Sequence, residues 1–196
     1  MSREIALRIA HPSDAAAIRA IYAPHVADSA VSFETEVPSI ETMAQRIRER
    51  LPTHPWLVAV DGNGDGVVGY AYASPHRERA AYAWSCEVTA YVAAHALGRG
   101  IGRRLYAALC TLLKMQHYVN AFGIITLPNP ASIALHEACG FRRAATFIHA
   151  GYKHGAWHDV GWWQSELQPP ACDPALPIAF SALPVGAVRA VLDDRR

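Results

Sequence analysis

The run Leu97-Gly98-Arg99-Gly100-Ile101-Gly102-Arg103-Arg104 puts three glycines and three arginines into eight residues. Glycine lets a backbone turn tightly and approach a ligand closely. At a strand-to-helix turn, successive N–H groups converge on one spot and the helix dipole adds partial positive charge there. That is anion-binding chemistry, and a pyrophosphate fits it. Arg99, Arg103 and Arg104 add charge nearby. A Walker loop needs Gly-Lys-Ser/Thr after its spacer, and no such triplet occurs. A dinucleotide fingerprint needs the first strand of a βαβ unit and an acid about 20 residues on. Here the turn is mid-chain, and residues 120–126 hold no acid. A purely structural turn is the competing reading.

Acid–base chemistry has two candidates. Glu87 is the only acid in 82–92, which reads as a strand. Period two sets Glu87, Thr89 and Tyr91 on one face and Cys86, Val88 and Ala90 on the other. A carboxylate among apolar neighbours has a raised pKa, which suits a general base; a solvated acid on a sheet face is the alternative. His136 sits in a short helical segment, and an imidazole with a pKa of about 6.5 can give or take a proton at neutral pH. A packed histidine with one hydrogen bond is its alternative. Arg77 and Arg79 precede the Glu87 strand and suit a small anionic guest, against the reading of an exposed charged loop. Cys86 faces away from Glu87, and Ser85 lacks a Gly-x-Ser-x-Gly elbow.

The elements that must position these residues follow from pattern. Residues 5–9 suit a first strand. Ser13-Asp14 opens a helix carrying Ile18, Ile21, Tyr22 and His25, which Pro24 should end or kink. Ser39 caps a second helix with Ile40, Met43, Ile47 and Leu51 on its apolar face. Runs at 56–60 and 67–74 flank Asp61-Gly62-Asn63-Gly64-Asp65-Gly66, a hairpin signal. The same string fits half an EF-hand loop, but its twelfth position is Tyr72, not Glu. After the 82–92 strand and the glycine turn, 103–116 is a helix with Leu105, Leu109, Leu112 and Leu113 on one face. Residues 121–127 form a strand, and Asn129-Pro130 caps a short helix that Gly140 ends. Strands at 144–152 and 159–167 follow. The order β-α-α-β-β-β-α-β-α-β-β is an α/β arrangement with a mixed sheet. Residues 1–167 form one domain. Residues 168–196 read as a Pro-rich arm, extended and partly disordered, with a short helix over 187–192.

Composition narrows the classes. Hydrophobic residues make up 52% and charged residues 18%, enough apolar content for a sizeable core. Eighteen Lys+Arg against seventeen Asp+Glu leave +1, which gives no field for nucleic acid or an anionic membrane. No apolar stretch reaches the ~18 residues of a membrane helix, and Met1-Ser2-Arg3-Glu4 leads into no signal segment. The cysteines at 86, 110, 139 and 172 form no Cys-x-x-Cys pair. His154 and His158 are four apart, but Gly155 and a strand argue against a shared helical face, so no metal is expected. Of Trp162 and Trp163, one should lie in the core and the other at the surface or a dimer contact. The expectation is a soluble, cytoplasmic protein.

Tyr91-Val92, the Gly98–Gly102 turn, Leu127-Pro128-Asn129 and Leu135-His136-Glu137-Ala138-Cys139-Gly140-Phe141 together resemble the GNAT superfamily of acetyl-CoA-dependent N-acetyltransferases. Ala81-Tyr82-Ala83-Trp84, Glu87, Thr89 and the string from Gly151-Tyr152-Lys153 to Asp159-Val160-Gly161 are similar to the phosphinothricin N-acetyltransferases of that superfamily. The resemblance spans residues 5–167. It implies a splayed mixed sheet flanked by helices, with acetyl-CoA as co-substrate in the splay. Ala90, Tyr91 and Val92 would pair with its pantetheine arm. Gly98, Arg99, Gly100, Ile101, Gly102 and Arg103 would hold its pyrophosphate, and Asn129 would reach it from the other side. It implies Glu87 as the base that frees the acceptor amine, and His136 as the acid for the leaving thiolate, where many relatives carry tyrosine. Phe33 and Tyr82 would wall the acceptor pocket, with Thr89, Arg77 and Arg79 binding the acceptor. The acceptor would be a small anionic amino acid analogue of the phosphinothricin or methionine sulfoximine type, with direct transfer in a ternary complex. An acetyl-CoA sensor, or an enzyme for a protein N-terminus or polyamine, is the alternative. Family members pair as homodimers. One departure stands out: the turn begins with Leu97 where the superfamily has Gln or Arg, which removes a polar contact but leaves the backbone cradle.

Overall fold

A computed structural model of the chain describes residues 5–62 and 66–194. Seven strands form one sheet in the order β1-β2-β3-β4-β5-β7-β6. They are β1 (Ile5–Ile9), β2 (Trp56–Asp61), β3 (Gly66–Pro75), β4 (Ser85–Val92), β5 (Asn120–Thr126), β6 (Arg142–Lys153) and β7 (Ala156–Glu166). Five helices flank it: α1 (Ala15–Ala27), α2 (Ile40–Arg50), α3 (Ile101–Met115), α4 (Pro130–Ala138) and α5 (Val185–Asp193). Adjacent strands are antiparallel except β4 and β5, which are parallel. Asn63, Gly64 and Asp65 of the expected hairpin turn, and the Met1–Glu4 start, lie outside the described residues.

The sheet splits at that one parallel pair. β4 follows β3 through Val92, but its register with β5 ends at Glu87 opposite Phe122. Residues 88–92 therefore have an edge that no described strand covers. This is the splay that the resemblance implied.

Period two assigns the faces. On β3 and β4, Tyr70, Tyr72, Ser74, Glu87, Thr89 and Tyr91 share one face, and Tyr22 of α1 packs its ring 5.2 Å from that of Tyr91. The opposite face receives α3, where Gly69 lies against Ile101 and Leu105. Leu105, Leu109, Leu112 and Leu113 of α3 are fully buried, as their spacing predicts.

Boundaries differ where tertiary contacts override local pattern. Residues 80–82 form a single 3-10 turn, so β4 begins at Ser85 rather than 82. Helix α1 does not end at Pro24 but runs to Ala27, with the Asp28 N–H donating to the Pro24 carbonyl. Proline removes one N–H donor, and the buried Val26 anchors the following turn. Ile40, expected on the apolar face of α2, is exposed, while Met43 and Ile47 are buried. Trp163 is the core tryptophan; Trp162 is half-buried and packs beside the candidate site instead of lying at the surface.

The segment after Gln168 is held along most of its described length, contrary to a partly disordered arm. Ile178 exchanges hydrogen bonds with Gln116, and Trp84 Nε1 donates to the Ala175 carbonyl. Phe180, Leu183, Val188 and Leu192 are buried in the common core. The prolines of this segment break helical periodicity without preventing docking, which rests on long-range apolar contacts that pattern does not encode. No described helix is long and apolar enough to cross a membrane.

Candidate active site

The glycine turn is built as its sequence demands. Gly98 and Gly100 have φ of +74° and +73°, left-handed values that disfavour any side chain, and Gly100 is the N-cap of α3. No cap side chain occupies the helix start, so the first N–H groups remain available to an anion. Ile101 and Gly102 are buried, and Arg99 and Arg103 are exposed on the turn. Two arginines are not free to serve the cradle. Arg99 pairs with Asp61 at 2.8 Å, and Arg104 donates to the Ile5 carbonyl at 2.8 Å. The expected added charge is thus reduced to Arg103. The Leu97 side chain is 65% exposed, and its backbone N–H closes the 3-10 turn over Ala94–Ala96 by donating to the Ala94 carbonyl.

A cavity of about 50 Å3 lies along the split between β4 and β5. Thr89, Ala90, Tyr91, Asn129 and His136 line it together, with Val31, Tyr106 and Ser132. Asn129 caps α4 by accepting the Ser132 N–H on Oδ1 at 3.1 Å. That bond fixes the orientation of the amide and leaves its NH2 group to donate elsewhere. Val92 continues the uncovered edge of β4.

His136 is buried on α4. Its Nδ1 lies 2.8 Å from the Ser132 carbonyl and its Nε2 lies 3.0 Å from the Tyr106 hydroxyl. A carbonyl only accepts, so Nδ1 carries the proton and the neutral ring accepts from Tyr106 on Nε2. Burial pushes the His136 pKa below 6.5, partly opposed by the Ser132 bond. Burial likewise pushes the Tyr106 hydroxyl well above 10. Tyr106 was not a site candidate from sequence: it lies within the apolar α3 pattern, and only the α3–α4 packing turns its hydroxyl to His136.

Glu87 is partly exposed on the opposite face of the sheet. Burial raises its pKa above 4.5, against a hydrogen bond from His76 at 3.1 Å and the positive Arg77. Because Phe122 is in register with Glu87, Gly123 faces the other way, and there it makes room for the His136 ring. Glu87 and His136 thus approach the split from opposite faces. Cys86 is fully buried away from Glu87, its thiol pKa pushed well up by burial.

The acceptor-side candidates are spread more widely. Arg77 and Tyr82 line a second cavity of about 420 Å3 with Ser85 and residues 176–179, and the Arg77 guanidinium lies 5.6 Å above the Trp162 ring. Arg79 is exposed on the same loop. Phe33 sits apart from that cavity, against Gly151 and beside His158. The loop that carries it is fastened by Lys153, which donates to the Val26 and Ser32 carbonyls at 2.6 and 2.7 Å. No group of three metal-ligating side chains occurs among the described residues.

The GNAT acetyltransferase domain model matches residues 7–162. The chain belongs to the GNAT acetyltransferases. The phosphinothricin N-acetyltransferase of Streptomyces viridochromogenes is 38% identical over 170 residues, 86% of this chain and 91% of that protein. The L-methionine sulfoximine/L-methionine sulfone acetyltransferase of Pseudomonas aeruginosa is 31% identical over 164 residues, 83% of this chain and 95% of that protein. A GNAT phosphinothricin acetyltransferase from Sinorhizobium meliloti, solved in complex with acetyl-CoA, superposes with a TM-score of 0.81 at 32% identity. It covers 92% of this chain and 99% of its own. This GNAT protein is therefore an acetyl-CoA-dependent N-acetyltransferase. The open β4 edge and the uncapped start of α3 fit that co-substrate.

Proposed function

We propose that the enzyme acetylates the amino group of a small anionic amino acid analogue, of the phosphinothricin or methionine sulfoximine type, by direct transfer in a ternary complex. The observation that carries this reading is the placement of Glu87 and His136 on opposite sides of the split. Acetyl-CoA supplies an activated acetyl thioester there. Ala90, Tyr91 and Val92 present the backbone edge for its pantetheine arm. The turn of Gly98, Arg99, Gly100, Ile101, Gly102 and Arg103 takes its pyrophosphate, and the Asn129 amide donates from the far side.

An acceptor amine is mostly protonated at neutral pH, so it needs a base before it can attack. Glu87, with a pKa raised but not paired to a strong cation, suits that task. The departing thiolate needs a proton; His136, once it takes a second proton on Nε2 from solvent, would deliver that proton to the thiolate and return to the neutral ring that accepts from Tyr106. Arg77 and Arg79 bind the acceptor's anionic groups, with Tyr82 walling the cavity that Arg77 lines and Thr89 the cavity at the split; Phe33 lines neither. The burial of Cys86 on the other face supports direct transfer over an acetyl-cysteine route. The arginines also disfavour a polyamine.

A homodimer belongs to the same reading. The β6–β7 hairpin leaves Ile148, Tyr152 and Trp157 at least 60% exposed, an apolar surface suited to a second copy of the chain.

The test is thiol release from acetyl-CoA with L-phosphinothricin, L-methionine sulfoximine, ordinary amino acids and a polyamine. Saturable turnover with the first two, with initial-rate lines that intersect, is the expected result. Parallel lines would exclude the ternary complex. An unchanged acceptor KM in Arg79→Ala would exclude the anion clamp.

A further inference from the structure

Among the described residues, the Glu87 carboxylate has a single hydrogen-bond partner, His76, whose Nδ1 lies 3.1 Å from Oε1. The register explains the meeting. Ser74 faces Glu87 and Pro75 faces Cys86, so His76 follows the last residue of β3 and folds over the base. Its ring is gripped on three sides. It stacks on Phe122 at 4.6 Å and meets the edges of Tyr82 at 5.6 Å and Trp162 at 5.4 Å. The His76 side chain is only 8% exposed, against 28% for Glu87. Rings from β5, β7 and the 80–82 turn therefore hold Nδ1 at Oε1. An ionised carboxylate only accepts, so Nδ1 carries the hydrogen.

We propose that His76 is a positioning residue for the base: its Nδ1–H donates to Oε1, keeps the Glu87 carboxylate ionised in a half-buried site, and leaves Oε2 for the acceptor. This rests on the reading of Glu87 as the base. The proton taken from the acceptor's ammonium lands on Oε2, giving a carboxylic acid and a neutral amine. The acid returns that proton to water between turnovers. Burial opposes ionisation of Glu87, and the bond from His76 works against burial. The other titratable groups around the pair are Arg77, whose charge acts in the same direction, Tyr82 against the ring, and the protonated Cys86 thiol. From β5 and β7 the facing groups are the uncharged Phe122 and Trp162.

Two substitutions separate this role from packing. His76→Phe keeps a ring among the three aromatics and removes the donor; His76→Gln restores an N–H donor without an imidazole. The midpoint of Glu87 can be read in the full-length protein by carbon NMR of side-chain-labelled glutamate, with the signal assigned through Glu87→Gln. The acid limb of kcat/KM is read in parallel by thiol release. Expected is an upward move of both midpoints by about one pH unit in His76→Phe, with His76→Gln near wild type. At the wild-type limb this is about a tenfold loss that disappears at high pH. Wild-type midpoints in His76→Phe would overturn the proposal. If Glu87→Gln keeps full activity, the base reading itself fails and the positioning role falls with it. If Glu87→Gln is inactive while His76→Phe titrates as wild type, only the role of His76 fails.

Discussion

Burial acts in opposite directions on Glu87 and His136, raising the pKa of the first and lowering that of the second. Both shifts favour the neutral form. For a base this sets the working window: Glu87 must be ionised, so activity should fall as pH drops through its raised pKa. Glu87→Gln should remove that limb and lower kcat/KM by about 10²–10⁴-fold, measured by thiol release across pH. His136→Ala should lower kcat about tenfold, and unchanged kinetics would remove the ring from the mechanism. Glu87 could be singled out from sequence because one acid stood on one face of a recognisable strand. His76 and Tyr106 could not, since one lies in a loop and the other in an apolar helix. Their partners are 11 and 30 residues away along the chain.

At the scale of elements, the site depends on how closely β5 lets α4 approach. A Cβ on Gly123 would collide with the His136 ring. Gly123→Ala should therefore cost about as much activity as His136→Ala while leaving acetyl-CoA binding measurable by calorimetry. Two ion pairs tie other elements in place. Arg8 of β1 grips Asp14 at the start of α1 at 2.7 Å, and Arg46 of α2 grips Glu34 of the Phe33 loop at 2.7 Å. Burial raises both carboxyls, but the bonds from Arg8 and the His11 N–H hold Asp14 below 3.8, and those from Arg46 and Tyr22 hold Glu34 below 4.5. A depressed folded pKa means that the folded state binds fewer protons. The stabilisation is then complete above the unfolded values and is lost as pH falls through the folded ones. Thermal stability should decline below about pH 4.5, and the Asp14→Asn, Glu34→Gln double variant should show a shallower decline by calorimetry.

For the whole molecule, the exposed β6–β7 hairpin and the docked C-terminal segment are the features that local pattern describes least. Trp157→Glu should convert a dimer to monomer in sedimentation velocity; a monomeric wild type at micromolar concentration would remove the homodimer from the reading. The sequence by itself determined the order of elements, the glycine turn, the face of Glu87 and the helix bearing His136. These follow from nearest-neighbour sterics and from periods of two and 3.6, which act over a few residues. Tertiary structure alone decided that β4 and β5 part after Glu87, that Arg99 and Arg104 are engaged elsewhere, and that His76 and Tyr106 bond to Glu87 and His136. It also bound the proline-rich end to α3 and β1. Each of these is a pairing between residues far apart in the chain, and its free energy depends on burial and register that no short window of sequence contains.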